Sequence, residues 1–317
     1  MLVSIILLIA GFFILIKSAN FLVNGASALA LKLSISDMVV GLTVVAFGTS
    51  SPELIVNIFA SIENNYEIAF GNIIGSNIIN TLLILGVSGM IYALQTRKNT
   101  VWREIPFSLF AIIVLFIMCN DHLFTGTANI LSSSEAIILL LFFFVFLIYT
   151  FAVSKVQISD KIEIKKISNM NIMIYIVAGL TGLILGGKLV VHHAVKIAMI
   201  LGVSDKLIGL TIVAIGTSLP ELFTSAVAAY KKKSDIAIGN IIGSNIFNIF
   251  FVLGISALIN PIPYDTAFNA DMFILAISSL FLLFTMFTGQ KRILDRWEAF
   301  ILLCLFMVYN IFIIMRG

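Results

Sequence analysis

Apolar runs of about 20 residues, each closed by a short polar stretch, recur from one end of the chain to the other. A run of that length crosses a bilayer as α-helix. The pattern predicts ten spans: Val3–Ala30, Met38–Ser61, Ala69–Tyr92, Ile105–Cys119, Ser134–Val153, Ile172–Ile200, Leu207–Tyr230, Ala237–Ile259, Asp271–Thr288 and Trp297–Met315. Between the fifth and sixth lies a charged connector, Ser154 to Asn171, which sets Lys155, Lys161, Lys165 and Lys166 beside Asp160 and Glu163. It divides the chain into 1–153 and 172–317 and is too short for a folded regulatory or calcium-sensing domain.

One polar interruption falls inside a span. Gly41 to Glu53 reads G-L-T-V-V-A-F-G-T-S-S-P-E, and Gly209 to Glu221 repeats it as G-L-T-I-V-A-I-G-T-S-L-P-E, 168 residues later. At the same offset Ala10-Gly11 matches Ala178-Gly179, Ser36-Asp37 matches Ser204-Asp205, and Leu85-Gly86 matches Leu253-Gly254. Each half therefore holds five spans. Five is odd, so the second half enters the membrane from the opposite side, an inverted-topology repeat. The expected fold is an all-α integral membrane protein of ten transmembrane helices arranged as two inverted five-helix repeats.

Loop charges predict the orientation. With the amino terminus outside, cytoplasmic loops carry Lys32, Arg97, Lys98, Arg103, the four connector lysines, Lys231, Lys232, Lys233, Lys291, Arg292 and Arg296. External segments carry only Lys206 and Arg316. Positive charge concentrates on the cytoplasmic side of membrane proteins, so both termini are expected outside a plasma (inner) membrane. The amino terminus lacks the basic region of a cleavable signal, and its first apolar run is long enough to remain a span.

Composition narrows the function. The 317 residues are 60% hydrophobic and 11% charged, which excludes an ordinary soluble domain. A net charge of +3, held in loops, makes no case for nucleic acid. The lipid bilayer is the expected surrounding, and no obligatory protein partner is evident. Cys119 and Cys304 fall in distant apolar runs and read as two unpaired buried thiols.

An ionisable residue inside a span marks a functional site by default. On a helix, Ala46, Thr49, Ser50 and Glu53 share one face, as do Ala214, Thr217, Ser218 and Glu221. Pro52 and Pro220 lack an N–H and clash with the carbonyl four residues back, so each helix should break beside its stripe. Broken helices at membrane depth expose carbonyls to a cavity or an ion. The following span of each half carries G-N-I-I-G-S-N, at Gly71–Asn77 and Gly239–Asn245. Gly71/Gly75 and Gly239/Gly243 are small-xxx-small pairs that let helices approach. Ser76 with Asn80, and Ser244 with Asn248, add oxygen donors one turn apart. The inventory is carboxylates, hydroxyls and carbonyls without thiolate or imidazole, which suits Ca²⁺ or Na⁺ rather than zinc or copper.

These paired motifs resemble the alpha repeats of the cation/calcium exchanger superfamily, most closely its sodium/calcium exchanger branch. The resemblance is carried by G-T-S-x-P-E followed by G-N-x-x-G-S-N, twice, and extends more weakly over the remaining spans. It implies a Na⁺/Ca²⁺ antiporter with no cofactor. The implied ion site comprises Ala46 (carbonyl), Thr49, Ser50, Glu53, Ser76 and Asn80, with Ala214 (carbonyl), Thr217, Ser218, Glu221, Ser244 and Asn248. It also implies that the first and sixth helices slide across this core to switch access. Two departures stand out. Some microbial members, and the potassium-dependent relatives, are acidic where this chain has Asn248, which argues against potassium co-transport. Proton/calcium exchangers show G-N-x-x-E in place of G-T-S-x-P-E, which lowers the proton-coupled alternative.

Other polar residues have plainer roles. Asn72, Asn77, Asn240 and Asn245 are expected to orient helices. His192 and His193 are adjacent, so they cannot share a helix face, and an external interfacial position is expected. Glu104, Asp121, Glu135 and Glu298 sit near span ends and are expected to be solvated. Two other function classes fit less well. A cation channel needs a ring of subunits, whereas two repeats in one chain enclose a site of their own. An intramembrane hydrolase, an enzyme, would need a nucleophile with a base, and neither motif holds His, Lys or Asp.

Overall fold

The structure, a computed structural model, describes residues 1–124, 126, 128–152, 168–202, 214–289 and 291–316. Its long helices are α1 (Leu2–Leu33), α2 (Asp37–Thr49), α3 (Ser51–Ile62), α4 (Tyr66–Ile91), α5 (Thr100–Cys119), α6 (Ser133–Ala152), α7 (Asn169–Ile200), α8 (Leu219–Tyr230), α9 (Ser234–Ile259), α10 (Phe268–Thr285) and α11 (Arg296–Arg316). Among the described residues eight helices are long and apolar enough to cross a membrane, and the bent pair α2–α3 makes a ninth candidate. Most of the charged connector, and the start of the span predicted from Leu207, lie outside the described residues; Ala214–Gly216 is the first helical turn described there.

The helices form two layers. The apolar stretch of α9 is 83% buried and that of α4 72%, against 28% for α1, α6, α7 and α11. Hence α4 and α9, with α2, α3 and α8, make the inner core, and the others form the outer layer. Apolar burial does not hold helices together in lipid, so close packing must. Gly239 and Gly243 let α9 lie against α2: an added Cβ would stand 2.9 Å from the Met38 carbonyl and 2.6 Å from the Leu42 carbonyl. The segment at the matching offset from Gly71 and Gly75 lies outside the described residues. In the outer layer α1 and α7 pack along their length. A Cβ on Gly179 would stand 2.7 Å from the Leu22 nitrogen, and one on Gly11 would stand 2.7 Å from Val190.

The span predicted as Met38–Ser61 is broken at Ser50, where the axis turns by 47°. Pro52 stands in the first turn of α3, where its missing N–H costs nothing. Three inner segments, Gly41–Val45, Ile79–Ile84 and Phe247–Val252, are wound as π-helix. Such bulges frequently mark functional sites.

Four two-residue strands tie the halves together. Leu94–Gln95 (β1) pairs antiparallel with Ile293–Leu294 (β4), and Ile130–Leu131 (β2) pairs with Ile262–Pro263 (β3). Each pair joins a loop of the first half to a loop of the second.

Several expectations are corrected. Glu104 and Glu298 are buried, not solvated. Glu298 accepts from the Asp295 N–H at 2.9 Å and from the Thr288 hydroxyl at 2.5 Å. This is the carboxylate contact of a capping box, a helix-start device that satisfies a free N–H and tolerates burial. Glu135, half-buried, does the same for Ser132 at 2.8 Å. Glu104 accepts from the Tyr149 hydroxyl at 3.0 Å. Asp121 is half-buried and accepts from the Ile130 N–H at 3.3 Å. Cys119 and Cys304 are free, but Cys304 is exposed on the outer face of α11. The histidines do take different faces: His192 is exposed and His193 buried.

Candidate ion site

The signature of each half ends at a helix break, and the two breaks meet in the core. Glu53 opens α3 and Glu221 opens α8, each in the first turn and each 1% exposed. The Ser50 hydroxyl donates to Glu221 Oε1 at 2.7 Å. The counterpart in the other direction is Ser218, whose hydroxyl donates to Glu53 Oε1 at 3.4 Å. Each carboxylate is thus held by a serine of the opposite half. Ser76 on α4 adds a second contact to Glu53 Oε1 at 3.4 Å.

The Ala46 carbonyl, at the end of the π-helical segment, accepts from Thr49 Oγ1 at 3.2 Å and from Ser244 Oγ on α9 at 3.5 Å. Thr49 also reaches Asn240 Oδ1 at 3.0 Å. Thr217 is half-buried on the wall of a cavity of about 770 Å³ beside α7. Ala214 begins the described part of the second signature, and its side chain is outside the described residues.

Asn80 and Asn248 sit in the π-helical turns of α4 and α9, and the halves orient them reciprocally. Asn80 Nδ2 donates to Asn245 Oδ1, and Asn248 Nδ2 donates to Asn77 Oδ1, both at 3.0 Å. Asn77 is anchored in turn by donating to the Asn245 backbone carbonyl at 3.2 Å. Asn245 donates to Thr81 Oγ1 at 3.0 Å, and Thr81 gives its own proton to the Asn77 carbonyl at 2.9 Å. With both amide nitrogens occupied, both amide oxygens point away from these partners. Asn80 Oδ1, Asn248 Oδ1, Glu53 Oε2 and Glu221 Oε2 are all buried and accept no hydrogen bond among the described residues. Buried acceptors cost free energy unless something meets them. Four such oxygens contributed by the two signatures and the two asparagines suit a hard cation. Among the described residues no three His, Cys, Asp or Glu gather as they would for a transition metal.

The supporting bonds repeat at the same offset. Asn72 Nδ2 donates to the Glu53 carbonyl at 3.3 Å and to Asn57 Oδ1 at 2.6 Å. Asn240 Nδ2 donates to the Glu221 carbonyl at 3.4 Å and to Ser225 Oγ at 2.9 Å. Asn57 and Ser225 close the pattern on the carbonyls of Ala69 and Ala237 at 3.0 and 3.4 Å. Asn57 and Ser225 lie outside the motifs that mark the site in the sequence. Their signal was available, since the two polar residues stand at one repeat position inside an apolar span.

The fold agrees with comparison to known proteins. The sodium/calcium exchanger protein family matches residues 3–152 and 171–315. The chain belongs to the sodium/calcium exchanger family. It is 37% identical to the putative antiporter CaxA of Alkalimonas amylolytica, over 98% of each chain. It is 31% identical to the sodium/calcium exchanger MaX1 of Methanosarcina acetivorans, over 97% of each. Among solved structures it superposes on the sodium-calcium exchanger NCX_Mj, soaked with Na⁺ and Sr²⁺, with a TM-score of 0.83 at 31% identity over 97% of each chain. Membership makes this chain a multi-pass membrane protein of the cation/Ca²⁺ exchange class, and its relatives are named as exchangers and antiporters.

Proposed function

We propose that this exchanger moves Na⁺ against Ca²⁺ by alternating access, with the ions bound at the midplane between two inverted five-helix repeats, 1–153 and 172–317. The observation that carries this reading is the set of four buried acceptor oxygens, Glu53 Oε2, Glu221 Oε2, Asn80 Oδ1 and Asn248 Oδ1, drawn equally from both halves. Two carboxylates supply a charge of −2, which one Ca²⁺ or two Na⁺ balance. Thr49, Ser50, Ser76, Thr217, Ser218, Ser244 and the carbonyls of Ala46 and Ala214 complete the ligand set. A third Na⁺ would make transport electrogenic, each net charge being worth ~2.3 kcal/mol per 100 mV.

The strand pairs support the inverted arrangement. With both termini outside, β1 and β4 fall on the cytoplasmic side and β2 and β3 on the external side, so each pair joins loops of one side. The test is counterflow in proteoliposomes. A carrier exchanges labelled for unlabelled calcium across the membrane without net flux. Labelled calcium that enters equally fast with no calcium or sodium inside would point to a channel.

A further inference from the structure

We propose that Glu63, at the end of α3, closes onto Lys188 and His192 of α7 when the exchanger seals the side opposite to the one sealed here. This rests on the alternating-access reading and on a contact that the structure shows once where the repeat calls for it twice.

On the sealed side, α1 lies against α8. The Lys231 ammonium, just past α8, donates to Asn24 Oδ1 at 2.8 Å and to the Asn20 carbonyl at 3.3 Å, and Phe12 of α1 meets Phe223 of α8 at 5.9 Å between ring centres. The repeat carries Asn20 onto Lys188, Asn24 onto His192, and Lys231 onto Glu63. At the other end of the molecule these positions are apart. The cavity of about 770 Å³ separates α7 from α3, with Lys188, His192 and Lys196 on one wall and Pro52, Ile55 and Val56 on the other. Glu63, Lys188 and His192 are all exposed, and neither Glu63 nor Lys188 joins any of the ion pairs among the described residues.

The turns that present the two residues are the same. Asn64 and Lys232 both take left-handed φ, 59° and 58°. The N–H of Glu63 returns to the Phe59 carbonyl at 2.9 Å, as that of Lys231 returns to Val227 at 3.0 Å. The N–H of Asn65 returns to Ala60 at 2.7 Å, as that of Lys233 returns to Ala228 at 2.8 Å. Glu63 is therefore held out from α3 as Lys231 is from α8. The chemistry is complementary on both sides but inverted in sign: a cation on the turn meets amide and carbonyl oxygens on α1, and an anion on the turn would meet an ammonium and an imidazole on α7. A closure that filled the cavity with α7 would bring them together. On the alternating-access reading, α1 and α7, which pack together along their length, would cross the core as one unit, so the two latches would close in turn and not at once.

Cross-linking tests this in the full-length exchanger with Cys119 and Cys304 replaced by serine. One variant carries Asn24→Cys with Lys231→Cys, the other Glu63→Cys with His192→Cys, each treated with a short reducible bis-thiol reagent. Both should cross-link, both should stop sodium-driven calcium exchange, and reduction should restore it. The ion pair is tested separately: Glu63→Lys should slow exchange about fivefold, and adding Lys188→Glu in the same chain should recover it. Failure of the Glu63/His192 pair to cross-link while the Asn24/Lys231 pair does, or failure of the charge swap to recover exchange, overturns the latch alone. Exchange that continues through the Asn24/Lys231 cross-link overturns alternating access, and the latch falls with it.

Discussion

The Ser50 hydroxyl donates to Oε1 of Glu221 at 2.7 Å, across 171 residues of sequence and between the two halves. Its mirror, Ser218 to Glu53, is longer at 3.4 Å. Each half thereby completes the carboxylate environment of the other, and neither half holds a finished site.

The asparagines that orient ligands should matter nearly as much as the ligands. Asn245→Ala removes the acceptor that fixes Asn80, and Asn77→Ala removes the one that fixes Asn248. Each should lower apparent calcium affinity about tenfold, the loss expected when a hydrogen bond worth ~1.5 kcal/mol no longer holds a dipole in place. Calcium dependence of initial exchange rates in proteoliposomes measures this. An unchanged affinity would mean that Asn80 and Asn248 keep their orientation without these partners.

Gly243→Ala should be among the most damaging single-methyl changes. Its Cβ would stand 2.6 Å from the Leu42 carbonyl, where backbone cannot give way. A cost of about 1–3 kcal/mol is expected from such overpacking, read as a lower melting temperature in detergent. Gly187→Ala is the control, since its nearest neighbours stand 4.0 Å away. Equal melting of both variants would show that α2 and α9 separate more easily than their packing suggests.

Much of this was legible in the sequence. The breaks, the paired acids and the ligand asparagines stand at a constant offset, and a polar residue in an apolar run is conspicuous. What stayed hidden depends on distant partners. Glu298 looked like a solvated span end because its burial is permitted by the Asp295 N–H and by Thr288, in the turn just past the end of α10. The capping-box spacing of Asp295 and Glu298 was a usable local signal. The strands are two residues long and pair across the halves, so no periodicity marks them.

Asn248→Asp should create a dependence on potassium or protons. Three carboxylates would leave one negative charge uncompensated with Ca²⁺ bound, and a poorly solvated charge captures a proton or recruits a monovalent cation. Sodium-driven calcium flux across a pH series, with and without potassium, is the measurement. A wild type that already requires potassium, or a variant unchanged in both dependences, would remove Asn248 from the ligand set.

The proposed orientation places the 154–171 connector in the cytoplasm. A single cysteine there, in a chain otherwise without cysteine, should resist an impermeant thiol reagent on intact cells and react after permeabilisation. Labelling of intact cells would reverse the topology and place both termini inside.

In the proposed cycle Glu53 and Glu221 together hold the transported calcium. Sodium-gradient-driven uptake of labelled calcium into proteoliposomes, with Glu53→Gln and Glu221→Gln purified as folded protein, tests it most directly. Removing either carboxylate leaves a divalent ion half neutralised in a site of low dielectric, so each variant should lose uptake to the level of protein-free vesicles. Uptake near the wild-type rate in either folded variant would contradict the claim.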